Sequence, residues 1–203
     1  MLFRSTGQPL PTSDPAGIHS RSSLREYGRG RMTTSRHRRL ETPTGPFYVR
    51  LVEDGPIETG WYAMIEDSGP ASRRLETLGP EDTELLPELC ERILAAMSGL
   101  PVDFDDIELP AGTPFQRAIW RETRRIGRGE TRTYGALAVA VGRPGAARAV
   151  GQAMRRNPQP IITPCHRVVG STGLGGFGGH GPSGSWPTIK ARLLANESAH
   201  RKA

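Results

Sequence analysis

The chain has 203 residues, 35% of them hydrophobic, and no apolar run approaches the roughly 18 residues of a membrane helix, which excludes a helical membrane protein. Two cysteines, Cys90 and Cys165, exclude a disulfide framework and a cysteine-built zinc site, so a special cysteine here acts by reactivity and a reducing, cytoplasmic setting fits best. The net charge of +6 hides a segregation: 8 Lys and Arg against 2 Asp and Glu in residues 1–40, 4 against 16 in 41–111, and 15 against 3 in 112–203. An acidic block followed by a basic one predicts two modules, the second suited to a polyanion such as nucleic acid.

Residues 1–40 carry many breakers and no apolar period, and read as a disordered basic tail. Its Arg- and Ser-rich bias is not a secretory signal, since no apolar h-region is present, and Gly and Pro break any amphipathic transit helix. A supporting α/β domain is expected over 41–109. Phe47–Val52 and Gly60–Ile65 read as the strands of a hairpin across the turn at Asp54-Gly55-Pro56. Leu86, Leu89, Cys90, Ile93, Leu94 and Met97 recur at helical spacing before Gly99. Cys90 falls on the buried face, as a small core residue. Val102–Leu109 alternates like a further strand, and the domain boundary is placed at Pro110-Ala111-Gly112.

The second domain is expected over 110–198, with a short tail at 199–203. Thr113 can serve as N-cap for a helix with Pro114 at its first position and Phe115, Ile119 and Trp120 along one side. Thr133 caps a short helix through Val141, Gly142–Gly145 make a turn, and a second helix runs from about Ala146 to Arg156 before Asn157-Pro158. This is a helix-turn-helix pattern. On the second helix Arg148, Gly151, Gln152 and Arg155 share one face. It is cationic and flat, so phosphates could approach its backbone closely. A merely solvated basic face is the plain alternative, but Arg124, Arg125, Arg128, Arg132 and Arg143 surround the pattern almost without acidic counterweight.

Residues 158–169 form an apolar run interrupted by Pro164-Cys165-His166-Arg167. Pro164 predicts a fixed bend at Cys165. A thiol becomes a good nucleophile as thiolate, and His166 is the nearest base, although neighbouring side chains need a bend or a water between them. Glu197, one of three acidic residues in the basic block, is the candidate to orient the imidazole. A buried inert cysteine and half of a metal site are the alternatives, the latter lacking a second ligand pair.

The Pro164–Val169 run resembles the active-site signature of the methylated-DNA–protein-cysteine methyltransferases, the O6-alkylguanine-DNA alkyltransferase family. The similarity extends through Thr113–Trp120, Gly129–Gly135, Ala146–Pro158 and Lys190…Leu193-Leu194…Glu197, about residues 113–197. It implies an α/β (α+β) protein: a small N-terminal antiparallel sheet-plus-helix domain, then a mainly helical helix-turn-helix domain carrying the reactive cysteine. It further implies a monomer without cofactor or metal that flips an O6-alkylguanine from duplex DNA through the minor groove and takes the alkyl group irreversibly onto Cys165. In that scheme His166 deprotonates Cys165 through a water, Glu197 orients His166, and Asn157 joins the recognition helix to the active-site turn. Arg148 fills the vacated stack, Tyr134 presses on the neighbouring phosphate, and Gln152, Arg155 and Gly151 complete the DNA face. Phe177, Val168 and Pro164 bound the base pocket.

Three departures from the family pattern stand out. Phe177 replaces a tyrosine, Thr163 replaces an aliphatic residue before Pro-Cys, and Gly181–Trp186 reads as an insertion. A lesion sensor without chemistry and a cysteine hydrolase using Cys165 and His166 are the competing functions.

Overall fold

The computed structural model describes residues 34–53, 55–66, 76–176 and 186–200. Its N-terminal part is an antiparallel meander: β1 (Ser35–Leu40), β2 (Phe47–Val52) and β3 (Ile57–Trp61), with β2 in the centre. The register pairs Leu40 with Phe47 and Phe47 with Trp61. The period of two therefore sends Leu40, Phe47, Val49 and Trp61 into one core. Phe47 meets Trp61 edge-on at 4.9 Å between ring centres. Gly45, at φ 104, makes the tight β1–β2 connection, whose amide bonds back to Thr42 O.

The meander differs from the sequence expectation at both ends. Ser35–Leu40, assigned to the disordered tail, is β1. Its sequence is SRHRRL, so the ladder with β2 and the bonds of His37 N to Pro80 O and of Ser35 Oγ to Leu78 O hold it, rather than an apolar alternation. The rest of the predicted tail, residues 1–33, lies outside the described residues. β3 starts three residues earlier than expected and stops at Trp61, where α1 (Tyr62–Glu66) begins.

α2 (Pro87–Met97) lays Leu89, Cys90, Ile93 and Met97 against the sheet. It ends at Gly99, where φ is +86 and an added Cβ would lie 2.3 Å from Asn196 O. Val102–Leu109 is not a strand. Its carbonyls are taken by side chains instead: Arg92 bonds Asp103 O, Arg124 bonds Ile107 O and Arg117 bonds Leu109 O. An alternating pattern cannot form a ladder where arginines have already claimed the acceptors.

α3 (Pro114–Arg124) opens on a full capping box, with Gln116 N bonding Thr113 Oγ1 and Thr113 N bonding Gln116 Oε1. Such a cap stabilises by about 1 kcal/mol. β4 (Arg132–Thr133) leads into α4 (Tyr134–Ala140), capped by Thr133, and α5 (Ala147–Arg155) completes the helix-turn-helix. Trp120 anchors it from below, donating Nε1–H to Ala153 O in a core with Ile119, Leu137, Val150 and Val168. α6 (Trp186–Ala199) closes the chain.

The boundary at Pro110 does not separate two bodies. Thr33–Ala203 is one compact unit, and the core under the sheet includes Ile161, Ile162, Trp186, Ile189 and Leu193 from beyond that point. Trp186, the last residue of the expected insertion, is a core residue that begins α6, while 181–185 lie outside the described residues. Of the expected 199–203 tail, Ala199 is the last residue of α6, and 201–203 lie outside the described residues.

Candidate active site and nucleic-acid face

Asn157 ends α5, and the next residues run along the edge of β3: Thr59 N donates to Pro158 O at 2.9 Å, and Thr59 Oγ1 donates to Pro160 O at 2.8 Å. The chain then turns through Ile161, a β-branched residue at φ 75. That conformation costs on the order of 1–3 kcal/mol and persists only where surroundings impose it. Past Pro164 a single 3-10 turn, Cys165–Arg167, presents the thiol, and β5 (Val168–Val169) pairs in parallel with β4. The bend expected at Pro-Cys is therefore present, and the β4–β5 pair fixes it to the start of the helix-turn-helix.

Cys165 is buried, and burial pushes its thiol up. A hydrogen bond from Asn157, the positive charge of Lys190, and the amides of Cys165 and His166 act against that rise. Asn157 is itself fixed, with Nδ2 on Thr163 O at 2.9 Å and Oδ1 accepting Gln159 N at 3.0 Å.

His166 and Glu197 meet as the scarcity of acidic residues suggested. Nε2 of His166 lies 2.8 Å from Oε1 of Glu197. Arg167 reaches the same carboxylate through Nε and Nη2, and Gly129 N donates to Oε2 at 3.0 Å. Burial would raise the Glu197 carboxyl, but the bonds from His166 and Arg167 outweigh it and hold it at about 2. Burial keeps the His166 imidazole below its ordinary range despite the opposing carboxylate. With Glu197 ionised, Nε2 carries the proton of the neutral ring. Nδ1 is then a buried lone pair without a hydrogen-bond partner among the described residues. A neutral imidazole with a carboxylate on Nε2 and an open Nδ1 lone pair is able to accept a proton.

Lys190, fully buried, donates Nζ to Val168 O at 2.6 Å and Gly176 O at 3.1 Å and lies 5.8 Å from the Tyr134 ring centre. Burial lowers its ammonium to about 8. Tyr134 donates its hydroxyl to Gly176 O at 2.8 Å. Gly175, at φ +68, brings this loop against the ring, where a Cβ would lie 2.9 Å from Tyr134 Cε2.

A cavity of about 880 Å³ is lined by Cys165 and Asn157 together with Tyr134, Arg148, Gly151, Gln152 and Arg155, whereas His166, Arg167 and Glu197 border a separate, smaller one. The predicted helix face and the predicted thiol thus open into one space. The side of α5 at Gly151 is open, with nothing within 4 Å of a Cβ there, and Arg148, Gln152 and Arg155 are exposed. Val168 and Pro164 do not border it. Val168 is in the core under α3, and Pro164 borders a smaller cavity of about 210 Å³ behind His166. The resemblance implies that both bound the base pocket, whereas here they flank the 3-10 turn on its inner side. Phe177 lies outside the described residues. The sequence reading missed Arg167, Lys190 and Gly129 as partners of the site, and Trp61 and Met64, which reach the cavity from β3 and α1. Among the described residues no group of His, Cys, Asp and Glu could hold a metal ion, and no helix is long and apolar enough to cross a membrane.

The DNA-binding domain of 6-O-methylguanine DNA methyltransferase matches residues 114–199. The chain is 39% identical over 169 residues to a methylated-DNA–protein-cysteine methyltransferase of Mycolicibacterium paratuberculosis, covering 82% of this chain and 94% of that protein. It is 45% identical over 134 residues to the protein of the same name from Methanosarcina acetivorans, covering 66% and 83%. Among solved structures, Mycobacterium tuberculosis OGT in complex with DNA superposes with a TM-score of 0.65 at 32% identity, covering 81% of this chain and 93% of that one.

Proposed function

Because this chain belongs to the methylated-DNA–protein-cysteine methyltransferase family, we propose that it repairs DNA directly, moving a methyl or other alkyl group from O6 of guanine to Cys165, once per molecule. The observation that carries this reading is the shared cavity: the Cys165 thiol faces the same space as the cationic, flat side of a helix.

The thiol proton passes through a water to Nδ1 of His166, whose charge Glu197 balances across Nε2. The thiolate sulfur forms a bond to the alkyl carbon as the carbon–O6 bond breaks, its electron pair leaving with guanine. A proton taken up by the released base balances the one lost by the thiol. The product thioether is uncharged and a poor leaving group, so the protein is spent. A soft nucleophile in a desolvated site suits displacement at saturated carbon, and the Asn157 hydrogen bond and Lys190 charge stabilise the thiolate as it forms.

Reaching an O6 atom inside a duplex requires flipping the nucleotide out, which costs a few kcal/mol and less for a badly paired lesion. The α5 face enters the minor groove with Arg148 in the vacated stack, Gln152, Arg155 and Gly151 along the groove, and Tyr134 beside the neighbouring phosphate. Phe177 is assigned to the base pocket. The protein works as a monomer in the cytoplasm, on the nucleoid when engaged.

Incubation with a duplex carrying one O6-methylguanine is expected to raise the intact mass by one CH2 unit at one equivalent of lesion. Retention of the duplex with no mass change overturns this reading in favour of a lesion sensor, and turnover of an acyl ester without DNA favours a cysteine hydrolase.

A further inference from the structure

Arg124, at the end of α3, points its guanidinium into the 159–163 loop, away from the positive face expected of it. Nε donates to Thr163 Oγ1 at 3.1 Å, Nη2 to Gln159 Oε1 at 2.9 Å, and Nη1 to Ile107 O. All these acceptors are neutral. Thr163 and Gln159 are fully buried polar residues, and burial holds the Arg124 guanidinium below its usual range. A half-buried cation whose hydrogen bonds all go to neutral acceptors is a costly way to join a helix to a loop, since apolar side chains of similar volume serve stability as well or better. The arrangement is explained by what it orients.

The two side chains held by Arg124 belong to the two residues whose backbones set Asn157 and Cys165. Gln159 N bonds Asn157 Oδ1, and Gln159 O accepts Thr163 N at 2.7 Å. Thr163 O accepts both Asn157 Nδ2 at 2.9 Å and Cys165 N at 2.8 Å. Between them lies Ile161 in its strained conformation. Gln159 also donates Nε2 to Ile57 O at 2.7 Å, so the same clamp registers the loop against the outer edge of β3.

We propose that Arg124, Gln159 and Thr163 form a positioning clamp that fixes the strained loop, and through Asn157 sets the geometry of the Cys165 thiol relative to the N-terminal sheet. Arg124 is then a positioning residue: it touches neither thiol nor DNA and acts through Thr163 O and Asn157. The proposal rests on the alkyl-transfer reading for its main readout and on thiol chemistry for its second.

Thr163→Val keeps the shape of the side chain and removes the acceptor for Nε, and Thr163→Ser keeps the acceptor. In single-turnover transfer at saturating lesion duplex, Thr163→Val is expected to slow transfer about tenfold, the scale of one charge-assisted hydrogen bond, with duplex affinity within about twofold of wild type. Thr163→Ser returns the rate to within about twofold. Arg124→Leu shows a similar loss, and adding Thr163→Val to it changes the rate by less than about twofold, because both remove the same contact. A Thr163→Val rate equal to wild type, a loss confined to duplex affinity or to melting temperature, failure of Thr163→Ser to rescue, or additive losses each overturn the clamp. If Arg124→Leu does not fold, the Val and Ser pair decides alone. If the wild-type protein transfers no methyl group, the functional reading fails separately. The clamp is then read from the rate at which iodoacetamide alkylates Cys165, expected to fall in Thr163→Val and recover in Thr163→Ser, and overturned if the three proteins react alike.

Discussion

The two cysteines of this protein make a comparison within one chain. Both are buried, and burial raises both thiols. Around Cys90 the charge of Arg38 acts against that rise, and the Cys90 sulfur donates to the carbonyl of Leu85, which stabilises the protonated form. Around Cys165 the Asn157 side chain, the Lys190 ammonium and two amides all favour the thiolate, and a neutral imidazole stands next in sequence. Burial excludes water from both; the donors decide which of them reacts.

The contrast is broken most severely by removing the reactive sulfur: Cys165→Ala is expected to abolish the mass increase with lesion duplex while leaving duplex retention within a few fold, as an anion-shift titration would measure.

Glu197→Gln is expected to slow transfer by about 100-fold, the scale of a lost general-base contribution. It also costs about 3 kcal/mol of stability in urea unfolding, because His166 and Arg167 lose their buried counter-charge. The pH behaviour follows with a definite sign. The Glu197 carboxyl is depressed to about 2, so its contribution to stability is complete above the ordinary carboxylate range and is lost as pH falls through that range toward about 2. The transfer rate of the wild type falls on the acid side as His166 protonates, below the ordinary histidine range because burial depresses it. Glu197→Gln removes the opposing carboxylate and moves that midpoint to still lower pH. A midpoint that does not move leaves Glu197 a structural anchor only.

Arg148→Ala is expected to weaken binding of lesion duplex about tenfold and to make its logarithmic salt dependence shallower by about one unit, leaving iodoacetamide alkylation of Cys165 unchanged. The smallest effect is expected at the other thiol. Cys90→Ala leaves alkyl transfer untouched and costs about 1 kcal/mol of stability for the packing it vacates.

Local signals in the sequence were sufficient for much of this architecture. The Thr113 and Thr133 N-caps and the positions of α2 and α5 follow from side-chain chemistry within four residues, and each stands where spacing placed it. β1 was hidden because its strand carries His and Arg where alternation would show apolar residues, and Val102–Leu109 misled because arginines from α2 and α3 compete for its carbonyls. At the site, the scarcity of acids found Glu197. Arg167 stood in the motif beside His166, but nothing local says that its side chain turns back to a carboxylate 30 residues away. Lys190 resembled any helix lysine, and only the fold reveals that it is buried with its ammonium on Val168 O. Such long-range polar contacts carry no period and no spacing rule, so they become visible only when the chain is closed.

The most direct test of the account is peptide mapping after reaction with one equivalent of duplex carrying an isotopically labelled O6-methyl group. The label is expected on Cys165 alone, stoichiometric with lesion lost and absent from Cys90. Label on Cys90, or lesion lost without label on Cys165, would contradict it.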